Sequence, residues 1–226
     1  MKISAREDRS DIPAPVWKHI LNNSYLQSWK GIILNKGVTE IGIDPMLLQE
    51  LKPQTIIELS AFNGGIGVSF ADSLEIIGIK GNIYEVDIDL SLLDEKAKAD
   101  SRVKFLQGDC NKLEEVFPAE MLAELPHPWL VIEDAHVNLI AVADYFHNNG
   151  LEPGDYLIVE DTSKYMWQAW QENWDDSGEL EKGSQKMDDL RSWLMRHQNE
   201  YLVDTHYLDM YGYNGSKNWN SILKRF

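Results

Sequence analysis

Between residues 55 and 161 the chain repeats one unit, a short apolar run followed by a stretch with helical spacing. The runs are TIIELS (55–60), GNIYEVDID (81–89), VKFLQGD (103–109), WLVIED (129–134) and DYLIVED (155–161). Helix-like stretches separate them at 67–74, 91–99, 113–125 and 137–148. Strand, crossover helix and strand in repetition make a parallel sheet with helices on both faces. Burial on both faces also explains why the strands are continuous apolar runs and not alternating ones. Two further strands are expected from YLVDTHYLDMYGY and WNSILKRF at the end of the chain. The expected fold class is therefore α/β, a Rossmann-like, doubly wound, mostly parallel seven-stranded sheet with an antiparallel C-terminal strand.

Upstream of the repeat, residues 1–12 read as a charged arm. PAPVWKHILNNS (13–24) reads as a short amphipathic helix with Val16, Ile20 and Leu21 inward. SWKGIILNKGVTEIGID (28–44) reads as a loop, and PMLLQELK (45–52) as a second helix stopped by Pro53. There is no internal repeat of sequence, as distinct from this alternation of elements, and no low-complexity tract. One domain is expected over 1–226, with an N-terminal arm and helices at 1–50 and a Rossmann-like core at 51–226.

The formal net charge of −16 disfavours nucleic acid and anionic membranes as partners. No apolar run approaches the roughly 20 residues that span a bilayer. The N-terminus lacks the apolar centre of a signal peptide, so a soluble, cytoplasmic protein is expected. The single cysteine, Cys110, excludes an intramolecular disulfide and a cysteine-rich zinc site. The Asn-x-Ser matches at Asn22 and Asn214 read as chance.

In an open parallel sheet, ligands bind beyond the carboxyl ends of the strands, near the point where strand order reverses. The first strand ends in IIELSAFNGGIGVSF: Glu58 closes it, Ser60 to Gly65 form a turn, and a helix follows. The candidates for holding a ligand here are Glu58, Ser60, Asn63, Gly64 and Gly65. Glycine lets the backbone approach a ligand, and a helix N-terminus offers free N–H groups. Neither the dinucleotide pattern G-x-G-x-x-G nor the phosphate loop is present. An acid before a short glycine turn suits a nucleoside carrying an amino acid better than a pyrophosphate. The second strand ends in YEVDID, where Asp87 is the candidate for the ribose hydroxyls, with Asp89 and Glu85 as alternatives. The third ends in GDC: Asp109 can accept from an exocyclic adenine amine, Gly108 leaves room for the ring, and Cys110 lies next to it.

The fourth strand ends in VIEDAH and the fifth in IVEDT. Both open on the side of the glycine turn, which places Glu133, Asp134, His136, Glu160 and Asp161 around one cleft. Converging carboxylates repel one another, and a hard cation such as Mg²⁺ relieves that cost. Glu133, Asp134 and His136 are the catalytic candidates. His136 titrates near neutrality and can take a proton.

At these residues the chain resembles the class I methyltransferases of the cephalosporin hydroxylase type, a broad group with the macrolide sugar and rhamnosyl O-methyltransferases. The stretches that carry the likeness are WKGIILNKGVTEIGID, IIELSAFNGGIGVSFAD, EVDID, VIEDAHVN, GDYLIVEDT and LDMYGYN, from about Trp29 to Phe226. The resemblance implies S-adenosylmethionine (SAM) as cofactor at Glu58 to Gly65 and Asp87. It implies a metal on Glu133, Glu160 and Asp161, with His136 as base. Two departures stand out. Glu133 occupies a position that resembles Asp in the family, which implies either Asp134 as a substitute ligand or a metal site that is weakened or lost. Ser60 stands where relatives often carry glycine. The resemblance also places Tyr211, Tyr213 and Asn214 near the pocket, and implies self-association.

Trp167, Trp170 and Trp174 fall on one helical face directly after IVEDT. They read either as a lid over the acceptor or as core residues. The expected activity is SAM-dependent methyl transfer to a small-molecule acceptor, with metal-assisted O-methylation first. The alternatives are metal-free N-methylation of an amine, favoured by the acids and the tryptophans, and a non-catalytic SAM-binding subunit.

Overall fold

A computed structural model describes residues 1–174 and 179–226, and the side chains of all these except 173, 174 and 179–181. The main sheet has seven strands: β1 (Thr55–Leu59), β2 (Asn82–Asp87), β3 (Val103–Gln107), β4 (Trp129–Glu133), β5 (Tyr156–Val159), β6 (Tyr201–Val203) and β7 (Ile222–Arg225). Their spatial order is β3-β2-β1-β4-β5-β7-β6. The first five are parallel, and β7 runs antiparallel between β5 and β6. Every residue of β1, β4 and β5 is buried, as central strands covered on both faces require. Strand order reverses between β1 and β4, which puts the switch-point crevice at the ends of these two strands.

The six longer helices are α1 (Ala14–Asn22), α2 (Val38–Leu51), α3 (Gly65–Ile76), α4 (Leu139–Asn149), α5 (Lys164–Trp174) and α6 (Glu179–Arg196). None is long and apolar enough to cross a membrane, among the described residues.

Five local expectations are corrected. On α1 the buried residues are Trp17 and Leu21, while Val16 is exposed. VTEIGID is not loop: α2 begins at Val38 and runs through Pro45. Buried Glu40 in its first turn accepts from Ser216 Oγ at 2.7 Å and from the Lys217 N–H at 3.0 Å, tying that turn to the C-terminal loop. The single helix expected over 113–125 is two short turns, Leu113–Val116 and Ala119–Leu122, because Pro118 restarts the backbone. The stretch 91–99 is likewise two short turns, a 3-10 turn at Leu90–Leu92 and a helical turn, Glu95–Lys98, capped by Asp94. In YLVDTHYLDMYGY only Tyr201–Val203 is strand. Asp204 then caps a turn, Thr205–Leu208, by accepting from the His206 N–H at 3.0 Å.

The charged N-terminal arm is docked against the C-terminal segment. The buried Arg6 guanidinium makes a bidentate pair with Asp209 at 2.6 and 2.8 Å and donates to Asn220 and Asn214. Its Cζ lies 4.0 Å from the Tyr213 ring centroid. Asn214 donates to the backbone of Glu7 and Arg9, and Tyr211 packs its hydroxyl against Gly42. Tyr213 and Asn214 therefore hold the arm in place, and none of the three lines the cavity described below.

Candidate functional site

After β1 the backbone turns through three left-handed residues, Ser60 (φ 104°), Phe62 (φ 44°) and Gly64 (φ 79°). The first two are unusual for residues with a side chain. Asp87 at the end of β2 holds the turn: its Oδ2 accepts from the N–H groups of Ala61 and Phe62 at 3.1 and 3.0 Å. Asn63 Oδ1 accepts from the Gly65 N–H at 3.3 Å. The glycines answer to packing. A Cβ on Gly65 would lie 2.2 Å from the Ile33 carbonyl oxygen, and one on Gly64 would lie 2.7 Å from Ala97 Cβ.

Glu58 and Glu85 are register partners on adjacent strands, and both are buried. Burial and the neighbouring Glu58 charge push the Glu85 carboxyl well above its ordinary value. Both effects favour its neutral form, and neither Glu85 oxygen has a hydrogen-bond partner among the described residues. A Cβ on Gly67 would meet Glu85 Oε1 at 2.6 Å, so Glu85 is sealed beneath α3. Asp89 is exposed and caps Ser91. Asp109 accepts from the Asn111 N–H at 2.9 Å. Cys110 is buried in the main core, where burial pushes its thiol to about 12.

Beyond β4 and β5 the acids gather as the topology demands, and three buried lysines join them. Lys36 Nζ is 3.1 Å from Glu58 Oε1 and makes a short contact with Glu160 Oε1. Lys217 Nζ lies 2.7 Å from both Glu160 Oε2 and Asp161 Oδ1. Lys186, reaching in from α6, stands 2.8 Å from Glu133 Oε2 and 3.2 Å from His136 Nδ1. Burial works to raise the Glu160 and Asp161 carboxyls, but Lys217 and the other nearby cations outweigh it and hold both below their usual values. Asp134 has no lysine partner among the described residues. Burial and the Glu160 charge push its carboxyl up to about 7. These lysines carry no sequence signature: each stands alone in its segment, and isolated lysines ordinarily belong to solvated surface.

Asp134, His136 and Asp161 form one group whose ligand atoms all lie within 4.8 Å of one another. His136 Nε2 is 3.4 Å from Asp161 Oδ2 and 3.9 Å from Asp134 Oδ1. Burial pulls the imidazole toward its neutral form, yet its hydrogen bond with Asp161 prevails and raises its pKa. His136 and Asp161 both hold positive φ, 53° and 61°. The strain is concentrated at this end of the sheet, as it often is at functional sites. Of the acids expected to converge, Glu133, Glu160 and Asp161 are thus each paired with a lysine, while Asp134 and Asp161 meet at the histidine.

These groups form one wall of a cavity of about 490 Å³. Facing them are Tyr25, Phe62, Trp167 and Trp170. Trp167 is buried, donates its indole N–H to the Asp161 carbonyl at 2.6 Å, and meets the His136 ring edge-on at 5.4 Å. Trp170 is half-buried and packs edge-on against Trp167 at 5.0 Å. The first two tryptophans of the stripe therefore form cavity wall; the Trp174 side chain lies outside the described residues. A small annex of about 40 Å³ adjoins the cavity, lined by Glu58, Ser60, Asn63, Gly65 and Asp134 among others. Asp87, Asp109 and Cys110 line neither space.

The family model described as Rhamnosyl O-methyltransferase/CmcI matches residues 22–225. The chain belongs to that family. Its relatives include the rhamnosyl O-methyltransferase of Mycobacterium tuberculosis (strain H37Rv), 26% identical over 145 residues, which are 60% of this chain and 57% of that protein. The Mycobacterium leprae (strain TN) enzyme of the same name is 26% identical over 144 residues, 60% of each chain. The chain therefore spans less than two thirds of the length of these relatives. Among solved structures, CmcI with Mg-SAM superposes with TM-score 0.71 at 27% identity, covering 98% of this chain and 88% of that one. CmcI with SAH superposes with TM-score 0.68 at 26% identity, covering 98% and 96%. The SAH-bound Podospora anserina methyltransferase, at TM-score 0.54 and 10% identity over 86% and 82% of the two chains, shares the fold.

Proposed function

We propose that this chain is a SAM-dependent O-methyltransferase that acts on a hydroxyl of a small molecule, with a divalent cation beside the acceptor. The observation that carries this reading is the Asp134 carboxylate. Its Oδ1 is buried with no hydrogen-bond partner, and it sits with Asp161 and His136 on the wall of a cavity large enough for a small ligand. An unpaired buried acid oxygen among hard donors fits Mg²⁺. Asp134 and Asp161, whose oxygens converge with His136, would hold the ion, with Asp161 Oδ2 available beside the Oδ1 that pairs with Lys217. When bound, such a cation lowers the pKa of a hydroxyl oxygen that coordinates it.

The chain's own residues supply the remainder. His136 presents Nε2 toward Asp134 and Asp161 on the cavity side, and is the group placed to receive the hydroxyl proton. Trp167, Trp170, Tyr25 and Phe62 orient the acceptor and exclude water. The annex at Glu58, Ser60, Asn63 and Gly65 suits the amino-acid end of SAM, and Asp87 supports it by holding the turn. Lys36, Lys186 and Lys217 offset the acids, which weakens the case for a cavity that cages a cationic amine. CmcI, a family member, has a structure with Mg-SAM, in line with this reading.

The test is calorimetric titration of SAM into metal-stripped protein, then of Mg²⁺, followed by mass spectrometry of hydroxyl and amine acceptors. Micromolar SAM binding with Mg²⁺-dependent methylation of hydroxyls is expected. Absence of SAM binding with and without Mg²⁺ overturns the reading.

A further inference from the structure

At the opposite end of the sheet, three elements bring together two imidazoles and a carboxylate. His147 is in the last turn of α4, His197 directly follows α6, and Glu200 directly precedes β6. The parallel strands run toward the cavity; α4 returns from β4, and α6 leads into β6. All three residues therefore lie at the amino end of the parallel strands, away from Asp134 and Asp161.

The donor atoms of His147, His197 and Glu200 all lie within 4.8 Å of one another. His147 Nε2 is 3.7 Å from Glu200 Oε1, and His197 Nδ1 is 2.9 Å from Glu200 Oε2. Donor atoms of a tetrahedral zinc site stand about 3.3 Å apart, given bonds of about 2.0–2.1 Å. These side chains need only small shifts to reach that spacing.

Of the remaining ring nitrogens, His147 Nδ1 has a hydrogen-bond partner and His197 Nε2 faces a more distant carboxylate. The Tyr201 hydroxyl lies 3.1 Å from His147 Nδ1. Asp144 Oδ1 lies 3.9 Å from His197 Nε2 and is itself fixed by the Trp193 indole N–H at 2.7 Å. An outer oxygen such as the Tyr201 hydroxyl sets the tautomer and orientation of a metal-ligating histidine. The His197 ring also stacks on Trp193 at 4.3 Å. The protonation states match a metal site as well. Burial and the Arg225 charge keep the His147 imidazole below its ordinary pKa, and the His197 hydrogen bond keeps the Glu200 carboxyl below its own.

We propose that His147, His197 and Glu200 form a second cation site, selective for zinc-class dications, with water as the fourth ligand. Two imidazoles and one carboxylate favour Zn²⁺ over Mg²⁺. The fourth position is open to solvent, since Glu200 retains 43% of its side-chain exposure. A bound ion would clasp the C-terminal ends of α4 and α6 to the edge strand. It would also brace the helix that carries Lys186 into the cavity.

The test is Zn²⁺ titration by calorimetry of chelator-stripped full chain in excess Mg²⁺, with metal analysis after desalting. The expected result is micromolar binding of about one Zn²⁺ per chain, with a Zn²⁺-dependent rise in thermal midpoint. His197→Gln and Glu200→Gln, both at partly exposed positions, should each weaken binding at least tenfold, while Asp134→Asn should leave it unchanged. The proposal is overturned by unchanged affinity in both His197→Gln and Glu200→Gln, by loss of the bound zinc in Asp134→Asn, or by no retained zinc in the unmodified chain.

Discussion

Lys186 Nζ lies 2.8 Å from Glu133 Oε2, an ion pair with almost no access to solvent on either side. Breaking one partner of a buried pair leaves the other charge without compensation, which costs about 3–5 kcal/mol, whereas removing both is often nearly neutral. Lys186→Met should therefore lower stability by that order, and the double variant Lys186→Met/Glu133→Gln should recover most of it. Urea denaturation of the two variants measures the difference.

The Glu58–Glu85 pair yields a prediction with a definite sign in pH. The Glu85 carboxyl is raised well above its ordinary value by burial and by Glu58. A carboxyl protonated in the folded state and ionised in the unfolded one loses stability as pH rises above its unfolded pKa of about 4.3. Glu85→Gln has nearly the same shape and does not ionise. It should match the unmodified chain near pH 4 and exceed it increasingly toward neutrality, by at most about 1.4 kcal/mol per pH unit. Denaturant midpoints from pH 4 to 8 measure the gap; a gap that does not widen rules out the protonated Glu85.

Asp72 behaves in the opposite sense. It receives the Trp29 indole N–H at 2.7 Å and pairs with Lys30 and Arg102, both at 2.7 Å, which joins the hairpin of Ser28–Trp29 and Ile32–Ile33 to α3. Burial works to raise its carboxyl, but the bonds from Lys30, Trp29 and Arg102 prevail and hold it at about 2. A folded value below the unfolded one stabilises above about pH 4, and that contribution fades as pH falls toward 2. Two of its partners are themselves partly exposed, so Asp72→Asn should cost about 1 kcal/mol at neutral pH. The cost should shrink on acidification, as read from thermal midpoints at pH 7 and pH 3.

The strand ends carried most of what the sequence made legible. Continuous apolar runs mark buried parallel strands, and parallel strands must open on one side, so Asp134, His136, Glu160 and Asp161 could be placed together before any coordinates. The start of α2 was hidden because Pro45 looks like a helix start. What holds the first turn of α2 is Glu40, through contacts 176 and 177 residues away in sequence. The lysines were hidden for the same reason: Lys36, Lys186 and Lys217 matter only through partners brought to them by the fold. Tyr213 and Asn214 were drawn toward the pocket by resemblance, while the arm they bind is held by Arg6, whose bonds to Asp209 span 203 residues.

Asp134 separates function from stability. Its carboxylate has a buried oxygen without a partner, and burial with the Glu160 charge opposes its ionisation. Asn at this position removes that repulsion at nearly equal volume. Metal-free Asp134→Asn protein should therefore be as stable as the unmodified chain, or more stable by about 1 kcal/mol. The same change should cost on the order of 10²-fold or more in methyl transfer, because it removes a charged donor from the cation site. Added Mg²⁺ should raise the thermal midpoint of the unmodified chain and leave that of Asp134→Asn where it was. A variant that keeps both its turnover and its Mg²⁺ response would show that Asp134 holds no metal, and would shift the site toward Glu160 and the lysines around it.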